Sequence, residues 1–259
     1  MLLEPFYGGG GGTRGRGLWC TASNQQEEND SGSAGGAAGR TAIPEQRPPK
    51  DPAMMRLTRP SATVIEGYLQ LRDSELSYLD VGATRDPRAL VSLASLYTID
   101  QRRFSLGAGR ALFEQARTAL LAWRHFEIPW LELHGCAEPV HPGQLVATLT
   151  PVFGVWFLNP CRVVYREDEN AKSDETAFAY GTLPGHVEAG EERFSVQYDR
   201  TTDAVRFEIL AFSRPAVLLA RLGYPWARRI QKRFALSSAE ALARACGRGT
   251  RAVELRKGP

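Results

Sequence analysis

Cysteine is scarce in this chain. There are four in 259 residues, Cys20, Cys136, Cys161 and Cys246, and no two stand at CxxC spacing or fall into a zinc pattern with histidine. Neither a disulfide framework nor a structural zinc site is expected. Cys136 and Cys161 sit in apolar stretches and read as buried free thiols, which suits a reducing compartment. Long hydrophobic runs are also missing: no stretch reaches the ~18 uninterrupted apolar residues that span a bilayer. No charged segment followed by an apolar core opens the chain, so a secretory signal is not expected. HxH and HExxH spacings are absent, and neither a metal nor any other cofactor is expected. The Gly107-Ala108-Gly109 turn lacks the third glycine and the Gly-Lys-Ser/Thr ending of a phosphate loop, and no Gly-x-Ser-x-Gly elbow exists. Net charge is small, +3 from 32 basic and 29 acidic residues. With no interleaving of basic and aromatic residues, this argues against nucleic acid as a partner.

What is present divides by composition. Residues 1–55 hold a run of five glycines, Gly8 to Gly12, then a polar stretch rich in Gly, Ser, Gln and Pro. Such a segment cannot bury enough apolar surface to offset its ordering entropy and reads as a disordered tail. Its first 24 residues carry Arg14 and Arg16 against one acid, Glu4, which gives it a faint likeness to an organelle transit peptide. The expected location is intracellular, cytoplasmic or organellar, with the plastid among the options. Residues 56–98 form a leading segment without firm assignment, with short apolar patterns at Ala62–Tyr68 and Leu69–Tyr78 and a short helix over Pro87–Tyr97.

From Tyr97 the patterns sharpen. A strand ends at Gly107, and Leu112, Phe113, Ala116, Ala119, Leu120 and Trp123 recur at helical spacing over about 108–124. Short apolar strands follow at Trp130–Leu133, Leu145–Thr150, Val152–Leu158 and Arg162–Arg166, and then Ala177–Gly181. Glu192, Phe194, Val196 and Tyr198 alternate, as do Val205, Phe207, Ile209 and Ala211, with Asp199–Asp203 as a hairpin connection. Ser213 is read as the cap of a helix with Pro215 in its first turn, broken at Gly223-Tyr224-Pro225. A second helical run places Trp226, Ile230, Phe234, Leu242 and Ala245 on one face. The expected fold class is therefore α+β, a curved antiparallel sheet wrapped around a long C-terminal helix. The family domain would occupy 99–247, with a basic tail at 248–259. This order of elements is that of the helix-grip (START or Bet v 1-like) architecture, which commonly encloses a cavity between helix and sheet.

Specific motifs carry a further resemblance. They are Gly181-Thr182-Leu183-Pro184-Gly185-His186-Val187-Glu188-Ala189-Gly190-Glu191-Glu192-Arg193-Phe194, Phe212-Ser213-Arg214-Pro215-Ala216, Leu222-Gly223-Tyr224-Pro225 and Gln231-Lys232-Arg233-Phe234. Over roughly Gly107 to Ala245 the chain resembles the domain-of-unknown-function family numbered nineteen-ninety, of plants and actinobacteria. The resemblance implies no activity, substrate or catalytic residue.

On a strand, Glu191 and Glu192 point to opposite faces, and Glu192 shares its parity with Phe194, Val196 and Tyr198. An inward Glu192 is a carboxylate that needs a partner. Either it pairs with Arg206 or Arg162 while His186 caps a turn set by Gly185 and Gly190, or Glu192 and His186 are polar anchors of an apolar pocket. Candidate ligand-binding residues are His186, Glu192, Arg193, Tyr180, Thr182, Ser213, Tyr224 and Trp226, with no catalytic residue assigned. The charge is also lopsided: from Ser213 onward the chain is net +9 and the remainder −6. Three functions stay open. One is a binder of a hydrophobic small molecule or lipid. The second is an enzyme using His186 and Glu192 as acid and base. The third is a protein docking on an anionic membrane surface or acting as a scaffold through Arg228, Arg229, Lys232 and Arg233.

Overall fold

The computed structural model describes residues 54–71, 75–167, 174–216, 224–249 and 253–255. The tail expected over 1–55 lies outside these residues but for its last two. The described strands are β1 (Met54–Arg56), β2 (Thr98–Ala108), β3 (Glu132–His134), β4 (Leu145–Val152), β5 (Val155–Glu167), β6 (Glu175–Thr182), β7 (Glu188–Asp199), β8 (Ala204–Pro215) and β9 (Val253–Leu255). The helices are α1 (Ala62–Gln70), α2 (Pro87–Leu93), α3 (Arg110–Leu121) and α4 (Tyr224–Ala245). The strands form one antiparallel sheet in the order β3-β4-β5-β6-β7-β8-β2-β9, with β1 paired to β5. The expected class, a curved antiparallel sheet gripping a long C-terminal helix, is the class observed. No helix among the described residues is long and apolar enough to cross a membrane.

Three elements differ from the sequence reading. Pro160 does not split two strands. β5 runs through it, and Pro160 falls between Leu158, the last partner of β1, and Cys161, the first partner of β6. A missing N–H is tolerated where one neighbouring strand gives way to another. Ser213 caps no helix: the alternation of β8 carries on through it, and it pairs with both Thr98 and Gly190. The rest of the helix expected after Ser213 falls on 217–223, outside the described residues, and the second helical run begins at Tyr224, with Pro225 in its first turn, where the proline's absent donor costs nothing. The expected basic tail supplies β9, which pairs with β2 at Arg103–Ser105.

The concave face of the sheet carries the main core. Phe104, Phe178, Phe194 and Phe207 are fully buried against Leu112, Phe113, Ala116 and Leu120 of α3 and against Ala239 and Leu242 of α4. Each such side chain contributes roughly 1.5–3 kcal/mol by leaving water. His125, in a 3-10 turn after α3, lies inside this core at 0% exposure among Trp123, Phe126, Phe178, Phe194 and Phe207. Burial pulls it down to about 3, so it stays neutral.

The convex face is covered by the leading segment, which the sequence left unassigned. Helix α1, capped by the Ser61 hydroxyl accepting from the Val64 N–H, lays Ile65, Tyr68 and Leu69 on Ala147, Leu149 and Leu158. Further along, Tyr78, Leu90, Leu93 and Tyr97 pack on Leu210 and Phe212, with the Tyr78 and Tyr97 rings edge-on to Phe212 at 5.5 and 5.0 Å. The sheet is therefore sandwiched between two layers.

Candidate functional site

The two halves of α4 meet the sheet differently. Its C-terminal half is packed solid through Ala235, Ser238, Ala239 and Leu242. Its N-terminal half stands off from the strands and roofs a cavity of about 520 Å³. Ile230, Gln231 and Phe234 come from the helix, and Phe157, Ile209 and Ala211 are among the sheet's apolar contributions. At the rim, the ring of Trp226 lies 4.7 Å from that of Phe153, the two being 41% and 79% exposed. Phe153 and Gly154 form the two-residue β4–β5 turn, both at positive φ (50° and 79°), as the twist of a tight hairpin requires.

Register assembles the polar end. Tyr180 pairs with Glu192, Glu192 with Ala211, and Ala211 with Asp100, one row across β6, β7, β8 and β2 on the concave face. The neighbouring row runs through Gly190 and Ser213. Small side chains thus form a floor, with Glu188, Glu192, Asp100 and Tyr180 around it. Gly190 has no alternative here, because a Cβ would strike the Phe212 carbonyl oxygen.

The carboxylates at this end are not equally served. Asp100 Oδ2 lies 3.4 Å from both Arg102 Nε and Arg228 Nη2. Arg102 also binds Glu254 at 2.8 Å, and Arg228 donates to Gln231 Oε1 at 2.7 Å. Glu188 accepts from Gln231 Nε2 at 2.8 and 3.0 Å and from the Ser213 hydroxyl. Among the described residues Glu192 receives one hydrogen bond, from Tyr180 Oη at 2.6 Å. Burial pushes Glu192 up to about 7; the Tyr180 hydrogen bond opposes the rise, and the like charges of Glu188 and Asp100 add to it. Burial also raises Glu188, Tyr180 and Cys161.

His186 sits in the turn before β7, where its Nδ1 accepts the Glu188 N–H at 2.9 Å. That bond puts the neutral ring's proton on Nε2, and burial lowers the imidazole to about 4. His186 thus caps its turn and lines the cavity at once, and no hydrogen bond joins it to Glu192.

Of the residues singled out from sequence, Tyr180, Thr182, His186, Glu192, Ser213 and Trp226 line this cavity. The Thr182 hydroxyl is committed to Ser77 Oγ, 2.6 Å, and to the Gly190 N–H, 3.0 Å. Arg193 does not belong with them. It lies on the convex side, bound to Glu175 at 2.8 Å and Glu167 at 3.3 Å. The Tyr224 side chain lies outside the described residues. Neither Arg206 nor Arg162 is the partner of Glu192; Arg206 binds Asp199, and Tyr180 takes the role assigned to an arginine. Sequence reasoning noticed Glu188 in the cluster around His186 but left it out of the candidate binding residues, although it shares the parity of Glu192. It missed Asp100, Arg102 and Gln231, whose place depends on β2 and α4 meeting at β8. Of the basic cluster on α4, Arg228 turns to Asp100, while Arg229 and Arg233 lie over the Trp226 and Trp130 rings at 5.8 and 4.4 Å.

A curved antiparallel sheet closed over by a C-terminal helix, with a cavity between them, defines a helix-grip protein. Within that class the chain belongs to the family described as a domain of unknown function, DUF1990, whose profile matches residues 77–241. It is 32% identical over 208 residues to a UPF0548 protein of Dictyostelium discoideum, covering 75% of this chain and 96% of that one. It is 39% identical over 150 residues to a UPF0548 protein of Arabidopsis thaliana, covering 56% and 72%. Among solved structures it is similar to a hypothetical protein of Helicobacter pylori at 12% identity and a TM-score of 0.40, covering 57% of this chain and 86% of that one. The likeness in structure is loose, and the fold assignment rests on the chain's own strand order.

Proposed function

We propose that this protein binds a largely apolar small molecule or lipid between the sheet and the N-terminal half of α4. The observation that carries the reading is the cavity itself. Its volume of about 520 Å³ falls in the ~300–1,000 Å³ range of small-molecule sites. Its lining is mostly apolar, with polar groups gathered at one end, which is how such sites combine affinity with orientation. Native mass spectrometry of the full-length protein purified from its own source tests this. A bound species of a few hundred daltons is expected, and Ala211→Phe, which fills the floor, should abolish it with the fold retained. Protein that carries no extractable ligand, and binds none offered to it, removes the reading.

A second reading is favoured by one observation: Glu192 is poised near neutrality beside the Tyr180 hydroxyl. A carboxyl tuned in this way can give or take a proton at pH 7. In an enzyme of this kind Glu192 would be the acid–base group, supported by Tyr180 and not by His186. A turnover that survives Glu192→Gln would dismiss that role.

A further inference from the structure

The polar end of the cavity has a chemistry of its own. Its floor is Gly190, Ala211 and Ser213, and three carboxylates face it: Glu188 and Glu192 from β7 and Asp100 from β2. By the register, Glu192 and Asp100 flank Ala211 across adjoining strands, which sets their backbones about 10 Å apart. The space above Ala211 is the gap between them.

The two arginines at this end are already engaged, Arg102 by Asp100 and Glu254, and Arg228 by Asp100 and Gln231. Glu188 is held by Gln231 and Ser213. Among the described residues Glu192 has only the Tyr180 hydroxyl, and the charges that act on it, Glu188 and Asp100, are both negative. Among the described residues no cation is set against Glu192. Thr150, also in the cavity lining, is only 7% exposed and adds a hydroxyl to the wall.

We propose that the pocket over Ala211 receives the protonated amine of an otherwise apolar ligand, with Glu192 as its counter-ion. This rests on the cavity-binding reading and narrows it to a class of ligand. An ammonium group offers three donors on a compact centre. One is directed to the free oxygen of Glu192, and the others reach toward Glu188 and the Tyr180 oxygen. The Phe234 ring on α4 lines the same space, and an aromatic face is a favourable neighbour for an alkylammonium. A ligand carboxylate at the same place meets Glu188 and Glu192 with both arginines spoken for. A neutral hydroxyl gains a hydrogen bond but no ion pair.

Decylamine, decanol and decanoate share one apolar body and differ only at the head. Their binding to the full-length protein at pH 7 is read by calorimetry and by the fluorescence of Trp130 and Trp226, both in the cavity lining. Decylamine is expected to bind at least ten-fold more tightly than decanol, with decanoate weakest. In Glu192→Gln the amine should fall to the level of decanol while decanol is unchanged. Equal or tighter binding of decanol or decanoate overturns the proposal, as does an amine preference that survives Glu192→Gln in folded protein. If Glu192→Gln does not fold, the ranking on the unaltered protein decides alone. Binding of all three without preference for the amine removes this inference and leaves the cavity reading standing. Binding of none removes both.

Discussion

Two adjacent glutamates on β7 face opposite sides of one sheet and live in different chemistry. Glu191, on the convex side and 2% exposed, accepts from Tyr78 Oη and the Gly82 N–H, both at 2.7 Å, from the Thr84 N–H at 3.1 Å, and from the Thr84 hydroxyl. Glu192, on the concave side, has Tyr180 alone among the described residues. Glu191 is thus used up in fastening the 75–97 layer to the sheet. Glu192 is left with capacity to spare in a space large enough for a ligand. Buried carboxylates are tolerated when donors surround them, and it is the incompletely served one that faces the proposed ligand cavity.

The sharpest way to break the comparison is on the convex side. Glu191→Ala leaves the Gly82 and Thr84 N–H groups and the Tyr78 hydroxyl facing a void without their acceptor, while the Thr84 hydroxyl keeps Tyr165 Oη at 2.7 Å. A loss of about 4 kcal/mol is expected in urea unfolding; a loss under about 1 kcal/mol would mean that the layer does not depend on this carboxylate.

The concave side should respond to pH instead. Glu192 in the folded protein sits at about 7, above the ordinary value of 4.5, so the folded state keeps a proton that the unfolded chain gives up. Its stability is therefore undiminished below pH 4.5, declines as pH rises toward 7, and has lost its full increment beyond that. Glu192→Gln carries no such charge. The variant and the unaltered protein should be equally stable at pH 4, and the variant ahead by about 3 kcal/mol at pH 8. Neutral His186 and His125 affect both proteins alike, so the difference isolates Glu192. A difference that is flat with pH would show that this carboxylate is solvated.

The smallest effect belongs to Gly181. A Cβ there would run into the Tyr78 hydroxyl, so Gly181→Ala should cost about 2 kcal/mol by pushing Tyr78 off Glu191. Because both changes act on one contact, combining it with Glu191→Ala should cost less than the sum. Full additivity in calorimetric unfolding would separate the two sites.

Much of this asymmetry is legible in the residues themselves. The alternation Glu192, Phe194, Val196, Tyr198 assigns Glu192 to the core side without coordinates, and the same parity places Arg193 on the other side, although it was grouped with the site. Alternation gives a face but not a neighbour. That Tyr180 and not an arginine meets Glu192 follows from the β6–β7 register, and Asp100 enters only because β2 pairs with β8 from more than a hundred residues away. The leading segment was unreadable for a related reason. Ile65, Leu69, Tyr78 and Leu90 are too sparse to declare a core of their own. They make sense only as a lid for the outer faces of Leu149, Leu158, Leu210 and Phe212. Pro215 misled by looking like a helix start, when the strand simply carried its pattern past Ser213.

The family match begins at residue 77, yet Met55 of β1 forms part of the cavity wall and α1 backs β4 and β5. β1 also occupies the stretch of β5 that β6 does not reach. A fragment cut to the matched limits would keep Glu192, Tyr180 and most of α4. It would nevertheless have a breach in one side of the chamber and bare leucines at Leu149 and Leu158. Working borders for this molecule are therefore wider than the borders by which its kinship is recognised.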